Sequence, residues 1–285
     1  MKIAVLGSKG RLGNILAKNL SEKGHQIVQI SRDNFDIDKS LSEMQIFETN
    51  FDLIINTIAL TDVNECEINP EMAMKINANF PLAIARFCDL HRIKLIHIST
   101  DYVFSGNGSG KYSELSTPEP ICQYGKSKLQ GELNVLSVGE NRNLIIRTAW
   151  LLDFYKRNFL TWILNEFESN NKEINVISDQ YGSPTSTIFL AQKIIEIINS
   201  SANQVLHITN FGQTSWFEMA REVARIKGFS ANRLVPISID SLKQIAPRPK
   251  NTSMVSVRNE LYNLNLSLKW EDSLGQILQE PRVLI

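Results

Sequence analysis

The sequence predicts an α/β fold with a doubly wound parallel sheet, and three observations support this prediction. Strand-like apolar runs alternate with helical patterns at the intervals typical of βαβ units. The first run, residues 3–6, is apolar throughout, as expected of a strand buried on both faces. A glycine-rich turn then leads to apolar residues at helical spacing, which begin at Leu12. Together these features indicate a Rossmann-like, dinucleotide-binding sheet.

Five further strand-like runs continue the sheet along the chain. They occupy residues 26–30, 52–56, 94–98, 143–147 and 204–208. Apolar residues at helical spacing lie between and after these runs. Helices are predicted from Pro70 towards Cys88 and at residues 124–136, 158–165, 188–198, 215–227 and 273–279, whereas residues 236–249 are predicted to be irregular.

We expect two parts that are interleaved in sequence. Residues 1–149, together with about 176–229, form the dinucleotide-binding domain. Residues from about 150 to 175 and from about 230 to 285 form a smaller C-terminal substrate lobe. A cleft between two such parts is a common place for a ligand.

The composition is that of an ordinary globular enzyme. Of the 285 residues, 43% are hydrophobic and 21% are charged, and 30 Lys and Arg balance 30 Asp and Glu. This balance does not favour a nucleic-acid or membrane-surface partner, and no apolar run reaches membrane-spanning length. Cys66, Cys88 and Cys122 lack zinc spacing and suit a reducing compartment, so we expect a cytoplasmic protein. The four histidines are dispersed and predict no metal site.

The glycine-rich turn is the predicted diphosphate site. It has the pattern Gly-x-x-Gly-x-x-Gly, and the helix after it would present free N–H groups and the positive end of its dipole. Glycines let the backbone approach a diphosphate closely. A glycine turn without a ligand is the alternative. The predicted cofactor contacts in this turn are Gly7, Gly10, Arg11, Leu12 and Gly13.

The end of the second strand bears on the choice of cofactor. Ser31 and Arg32 stand where NAD-specific folds usually place an acid on the ribose hydroxyls. Because a guanidinium fork suits a ribose 2′-phosphate, we expect NADPH, with NADH as the alternative through Asp33. Asp36 and Ile37 are expected near the adenine.

Three more residues complete the predicted cofactor contacts. Ile58 and Ala59 follow the third strand, and ligands of such sheets lie outside the carboxyl ends of the strands. Asn77 is the third, on the helix that Pro70 opens.

A phenol, an amine and a hydroxyl form the predicted catalytic group. Tyr124 and Lys128 are four residues apart, so they share one face of a helix. An ammonium beside a phenol lowers the phenol's pKa, which is otherwise about 10, and the phenol can then donate a proton to a carbonyl oxygen. Thr100 ends the fourth strand and can hydrogen-bond the same oxygen. A surface tyrosine beside a surface lysine is the alternative interpretation.

Taken together, these motifs resemble an extended short-chain dehydrogenase/reductase, and most closely the dTDP-4-dehydrorhamnose reductases. The likeness covers nearly the whole chain. It is found in Gly7-x-x-Gly10-x-x-Gly13, in the Ser-Thr-Asp-Tyr-Val-Phe run at 99–104, in Tyr124-Gly-Lys-Ser-Lys128, and in the segments 56–64, 179–185, 246–249 and 268–270.

The resemblance implies a function and assigns roles to residues. Tyr124 would protonate the C4 keto oxygen of a nucleotide-linked 4-keto-6-deoxy sugar as hydride arrives from the nicotinamide. Lys128 would hold the nicotinamide ribose and Thr100 would orient the carbonyl. The expected reaction is the NADPH-dependent reduction of dTDP-4-dehydrorhamnose to dTDP-rhamnose, with a homodimer as the possible assembly. The predicted substrate contacts are Tyr102 and Trp150, by position in the family, Asn158, by analogy with related sugar-nucleotide enzymes, and Arg248, whose guanidinium suits a pyrophosphate.

The sequence departs from the family near the expected sugar pocket. Ile58 and Leu60 replace the usual alanine and tyrosine, and Leu-Leu-Asp at 151–153 replaces Val-Tyr-Gly. These departures leave other nucleotide-sugar reductases and epimerases as alternatives. A dehydratase is disfavoured because Tyr102 stands where such enzymes carry a glutamate. A dinucleotide-binding subunit without activity, like the regulatory subunit of methionine adenosyltransferase, is the alternative from another class.

Overall fold

The computed structural model describes residues 1–31, 33, 37, 50–108, 110–139, 142–169, 172–200 and 204–280. The strands in these ranges are β1 (Lys2–Leu6), β2 (Gln26–Ile30), β3 (Leu53–Asn56), β4 (Lys94–Thr100), β5 (Asn143–Thr148), β6 (Leu151–Leu152), β7 (Ile174–Ile177), β8 (Tyr181–Gly182), β9 (Thr185–Ser186), β10 (Val205–His207), β11 (Thr214–Ser215) and β12 (Leu234–Ile237). The α-helices are α1 (Arg11–Glu22), α2 (Val63–Ile68), α3 (Pro70–Met74), α4 (Phe80–Leu90), α5 (Gln123–Leu136), α6 (Phe159–Ser169), α7 (Thr187–Ile197), α8 (Trp216–Lys227) and α9 (Trp270–Gln279).

The predicted parallel sheet is confirmed. Within the described ranges its order is β10-β5-β4-β3-β1-β2, and every neighbouring pair is parallel. The chain leaves β1 in one direction to reach β2 and crosses back to the other side to form β3. This reversal opens a crevice at the carboxyl ends of the strands, where ligands of open α/β sheets bind.

The strands are buried because apolar residues cover both of their faces. Ile3 and Val5 of β1 pack with α1 and α7, while Ala4 and Leu6 pack in a second cluster with α4 and α5. The alternation follows the two-residue period of a strand. Helices on both faces make this the doubly wound arrangement that the continuous apolar runs predict.

A separate apolar cluster holds the smaller part of the protein together. It joins side chains of α6, β7, α8, β12 and α9. Met219 and Val223 of α8 are fully buried in this cluster, so α8 packs with the segments predicted to form the substrate lobe. The domain boundaries given above remain a prediction.

Two local features differ from the sequence-based expectation. Residues 234–237 form β12, which pairs in parallel with β7, although Pro236 falls within it. The pairing is compatible with proline because β12 has β7 as its one partner among the described strands, so its other edge needs no N–H donor. The helix predicted from Pro70 towards Cys88 is divided by a π-helical turn, Lys75–Asn79, which carries the buried Asn77. No helix in the described ranges is long and apolar enough to cross a membrane.

Candidate active site

A cavity of about 380 Å³ lies at the carboxyl ends of the central strands. The start of α1 contributes Gly10, Arg11 and Leu12 to its wall. The other lining groups come from the segments after β3, β4 and β5, from α5 and from α8. The cavity therefore brings the glycine turn to the same place as Thr100, Tyr124 and Lys128, which also line it.

The glycine turn has the shape that a diphosphate requires. A Cβ on Gly13 would lie 2.2 Å from the carbonyl oxygen of Gly7, so only glycine allows the turn and α1 to approach this closely. Gly10 is the N-cap of α1, and no side chain caps that end of the helix. The first N–H groups of a helix, together with its dipole, suit an anion. The residues present thus fit a dinucleotide diphosphate.

Arg11 connects the glycine turn to the segment after β5. Its guanidinium donates to the carbonyl oxygens of Arg157, at 2.8 Å, and Leu151, at 3.3 Å. It also lies 3.9 Å from Asp153, whose carboxylate accepts a 2.7 Å hydrogen bond from Thr187. Asp153 is one of the departures from the family pattern, and here it takes part in a contact between the two parts of the protein.

The structure describes some of the residues that are predicted to contact the adenosine end of the cofactor. Ser31 is buried at the end of β2, and Ile37 packs against the cluster that contains β2 and α4. Arg32 and Asp36 lie outside the described residues. Asp33, the group that would serve NADH, forms an ion pair with Lys9. After β3, Ala59 lines the cavity, and Ile58 is half-buried against the sheet.

The three predicted catalytic side chains come together in the cavity wall. The hydroxyl of Thr100 lies near the phenol of Tyr124 and acts on its ionisation, and Lys128 follows one turn later on α5. The Thr100 hydroxyl also donates to the carboxylate of Asp101 at 3.1 Å. Burial raises the pKa of Asp101 to about 6, against the hydrogen bonds from Thr252 and Thr100 that favour its carboxylate. This arrangement holds the Thr100 hydroxyl beside the phenol.

The ionisation of Tyr124 and Lys128 differs from the simple expectation. Burial raises the pKa of Tyr124 above its ordinary value of about 10, although the hydrogen bond with Thr100 acts in the opposite direction. The Lys128 ammonium donates to the carbonyl oxygen of Ile98 at 2.7 Å, within the sheet. Burial lowers the pKa of Lys128 to about 8. The expected lowering of the Tyr124 pKa is therefore not found, because burial is the largest influence on this phenol.

Two predicted substrate contacts also meet at the site. The rings of Tyr102 and Tyr124 lie edge to face, with centroids 5.5 Å apart. Arg248 acts on the ionisation of Tyr102 and donates to the side-chain oxygen of Asn64 at 3.2 Å. A cationic fork thus lies near Tyr102, although Arg248 is not among the residues that line the cavity.

The opposite wall of the cavity is a pair of tryptophans. Trp150 and Trp216 both line the cavity and stack in parallel, with centroids 3.5 Å apart. Trp216 begins the amphipathic helix α8, where its spacing is typical of a core residue. Its indole N–H donates to Gln180 at 2.8 Å, and Gly182 leaves room for the Trp150 ring. The turn at residues 179–185 thus supports this aromatic wall.

Two other predicted contacts use their side chains within the protein. Asn158 donates to the carbonyl oxygen of Asp153 at 2.7 Å and accepts from the backbone N–H of Thr161 at the start of α6. Asn77 bonds both backbone groups of Leu60 and the hydroxyl of Ser127. Neither residue lines the cavity. Their roles as ligand contacts remain predictions.

The sheet order, the glycine turn and the Thr–Tyr–Lys group define a nucleotide-binding oxidoreductase of the short-chain dehydrogenase/reductase class. The family described as "RmlD substrate binding domain" matches residues 1–283, and the chain belongs to that family.

Named relatives agree with this assignment. The dTDP-4-keto-6-deoxy-D-glucose reductase of Streptomyces niveus is 32% identical over 87% of this chain and 86% of its own. The dTDP-4-dehydrorhamnose reductase of Mycolicibacterium smegmatis is 31% identical over 96% of this chain and 84% of its own. The crystal structure of the dTDP-4-dehydrorhamnose reductase of Bacillus anthracis in complex with NADP has a TM-score of 0.93 at 31% identity, covering 98% of this chain and 99% of that one.

Proposed function

We propose that the protein is an NADPH-dependent reductase of a dTDP-linked 4-keto-6-deoxy sugar, with dTDP-4-dehydrorhamnose as substrate and dTDP-rhamnose as product. The observation that carries the proposal is the contact between Thr100 and Tyr124 beside Lys128, in the same cavity as the glycine turn. The names of the relatives supply the substrate class. The NADP complex of a relative supports the choice of cofactor.

Reduction of a ketone needs a hydride on carbon and a proton on oxygen. NADPH, when bound, supplies the hydride to C4 of the sugar. The raised pKa of Tyr124 keeps its phenol protonated at neutral pH, so that it holds the proton that the C4 oxygen takes up. Thr100, by turning its single hydroxyl proton from Asp101 to that oxygen, can donate a second hydrogen bond and fix the direction of the oxygen towards the phenol.

The remaining walls suit the rest of the substrate. Arg248 does not line the cavity itself, but it lies near Tyr102, which does, and would provide a cation for the diphosphate. The indoles of Trp150 and Trp216 provide a flat apolar surface, which suits the ring face of a deoxy sugar or a base. At the glycine turn, Gly10, Arg11 and Leu12 would hold the diphosphate of the cofactor.

The dehydratase alternative requires a group that differs from the one in the cavity. Elimination of water by a dehydratase needs a carboxylic acid–base pair, and here Tyr102 follows Asp101 in the cavity wall. An epimerase would keep NAD bound through turnover, and a regulatory subunit would bind dinucleotide without consuming it. These two alternatives are distinguished by experiment.

The test is the loss of NADPH absorbance with dTDP-4-dehydrorhamnose, with dTDP-glucose as the control that offers no ketone. We expect oxidation with the keto sugar alone, faster with NADPH than with NADH, and one sugar reduced for each NADPH consumed. Bound NAD that survives purification and turnover would instead indicate an epimerase. Dinucleotide binding with no oxidation by any 4-keto sugar would indicate a regulatory subunit.

The proposal includes a cytoplasmic location and a homodimer. Cys66, Cys88 and Cys122 are all free and buried, which suits a reducing compartment. Light scattering on the purified protein tests the dimer.

A further inference from the structure

A buried row of three side chains runs behind the catalytic lysine. Asn56 ends β3 and His97 is its direct partner on β4, so their side chains share one face of the sheet. The amide nitrogen of Asn56 lies 3.1 Å from Nδ1 of His97, and Nε2 of His97 lies 3.4 Å from Nζ of Lys128. Asn56 and His97 are fully buried, and Lys128 is 1% exposed. His97 has no role in the reaction as described above.

The backbone settles which way the Asn56 amide points. The N–H of Ile58 donates to the side chain of Asn56 at 3.0 Å, and only the amide oxygen can accept this bond. The amide NH₂ group therefore faces His97. A donor at this position requires that Nδ1 of His97 carry no proton, because the imidazole nitrogen must accept.

The tautomer of His97 follows from this contact. A neutral imidazole carries one proton, so His97 carries it on Nε2, the nitrogen that faces Lys128. Burial, and then the charge of Lys128, hold the pKa of His97 well below 6.5, so that the ring is neutral. An N–H group thus points at the lysine nitrogen. This N–H can donate to a neutral amine, but it repels an ammonium.

Besides burial, two titratable groups, Glu132 and Cys66, act on the ionisation of Lys128. Glu132, on the next turn of α5, favours the ammonium, but its carboxylate is held by two bonds from Arg147. Cys66 is also near, and its own pKa is raised by burial, so at neutral pH it is an uncharged thiol. Ile98 accepts one N–H of Lys128. His97 is the neighbour on the sheet side that opposes the ammonium.

We propose that His97 is a positioning residue for Lys128: held by Asn56 in the Nε2–H tautomer, it opposes the ammonium form and makes the lysine proton easier to release. The lowered pKa of Lys128, to about 8, agrees in direction, although burial is its largest cause. The ammonium can pass its proton to the Tyr124 phenolate after each reduction, and the amine that remains then takes a new proton from water. The role in turnover rests on the proposed reductase, whereas the tautomer and the titration of Lys128 do not.

The tautomer is tested by long-range ¹H–¹⁵N spectra of protein labelled at histidine, which distinguish protonated from unprotonated ring nitrogens. His207 is a matched internal control, because its Nδ1 faces the carbonyl oxygen of Val255 at 3.1 Å and must carry the proton. Signals are assigned from the His97→Gln and His207→Gln variants. We expect opposite tautomers at the two sites, and an Nδ1–H or doubly protonated His97 would overturn the proposal.

The effect on Lys128 is tested with Asn56→Thr, a substitution that leaves the charge of the site unchanged. A hydroxyl can accept as well as donate, so the imidazole is free to move its proton to Nδ1 and to accept from the ammonium through Nε2. The titration of Lys128 is followed by ¹³C NMR of labelled lysine, and its signal is assigned with Lys128→Met. We expect its midpoint to rise by about one pH unit, which is a tenfold change in the proton equilibrium.

Two comparisons distinguish this role from a structural one. If the reductase is active, the alkaline limb of its pH profile should move to higher pH in Asn56→Thr by the same amount as the Lys128 midpoint. A variant that folds, changes the His97 tautomer and leaves the Lys128 midpoint unchanged would refute the proposal. Because the NMR titrations need no substrate, absence of turnover would contradict the proposed function and leave this test standing.

Discussion

The indoles of Trp150 and Trp216 stack with their planes 5° from parallel and their centroids 3.5 Å apart. Trp150 adopts a φ of 43°, in the left-handed region that a bulky residue rarely enters. The stack, and a 3.1 Å hydrogen bond from the N–H of Thr185 to the Trp150 carbonyl oxygen, hold it there. This part of the cavity wall is therefore built from a strained backbone and one aromatic contact.

Gly182→Ala should displace this wall. A Cβ at Gly182 would lie 2.3 Å from Cε2 of Trp150, and the ring cannot move away because Trp216 covers its other face. We expect a loss of about 1–3 kcal/mol in unfolding free energy from overpacking, together with a higher KM for the nucleotide sugar. Gly275→Ala on α9 is the matched control. Its Cβ meets no atom within 4 Å, so alanine should stabilise that helix by about 0.5–1 kcal/mol. Equal effects at the two sites would contradict the packing argument.

Trp216→Ala should weaken substrate binding while leaving the cofactor site intact. An aromatic pair contributes about 0.5–1.5 kcal/mol beyond its buried area, so we expect kcat/KM for the keto sugar to fall about fivefold. The KM for NADPH should not change, because the glycine turn lies on another element. Trp216→Phe retains a ring against Trp150 and should keep most of the activity. Steady-state kinetics with each substrate varied in turn decides the point; an equal rise in both KM values would argue for general damage.

The buried ion pair between Glu132 and Arg147 should be essential for stability. Glu132 accepts from Nε of Arg147 at 2.9 Å and from its terminal nitrogen at 2.6 Å, and both side chains are almost fully buried. Glu132→Gln leaves the guanidinium without a counter-charge, which costs about 3–5 kcal/mol. Urea unfolding measures this loss. Glu222→Gln, in the exposed pair with Arg225, is the control and should have little effect. A similar small effect at Glu132 would show that Arg147 finds another partner.

Stability should decrease as the pH falls below about 6.5. Burial lowers the pKa of both His97 and His207, so in this range the unfolded chain protonates two rings that the folded chain keeps neutral. Asp101 acts in the opposite direction, because its folded pKa of about 6 lies above its unfolded value, so it offsets part of the loss. The stabilisation from each ring is complete above its unfolded pKa and is lost as the pH falls towards its folded pKa. Each contributes up to about 1.4 kcal/mol per pH unit to the slope.

The measurement is urea unfolding between about pH 8 and pH 5, the range that spans the unfolded histidine pKa. His207→Gln should make the dependence shallower, and the same change at the exposed His91 is the control. A slope that is unchanged in His207→Gln would show that this ring has the same pKa in the folded and unfolded chains.

Local spacing and sheet topology explain why much of the site was predictable. The glycine turn is set by residues within one β–α connection, and Tyr124 and Lys128 are related by one helical turn. Thr100 could be placed because parallel strands bring their carboxyl ends to one edge. These relationships depend on short stretches of chain, so the sequence alone contains them.

Other features depend on contacts between distant segments. Trp216 has the helical spacing of a core residue, and its place in the cavity follows only from its stack on Trp150 and its bond to Gln180. The strand β12 is four residues long and contains a proline, so its sequence has no clear strand pattern that would predict its pairing with β7. The raised pKa of Tyr124 arises from burial in the assembled cavity, which the sequence motif does not specify.

The most direct test of the account is the rate of NADPH oxidation by Tyr124→Phe with dTDP-4-dehydrorhamnose. The phenylalanine keeps the ring against Tyr102 and removes the proton donor, so we expect kcat to fall by about 10²–10⁴-fold while NADPH binding is retained. A variant that binds NADPH and turns over at the wild-type rate would contradict the central claim that the Tyr124 phenol supplies the proton.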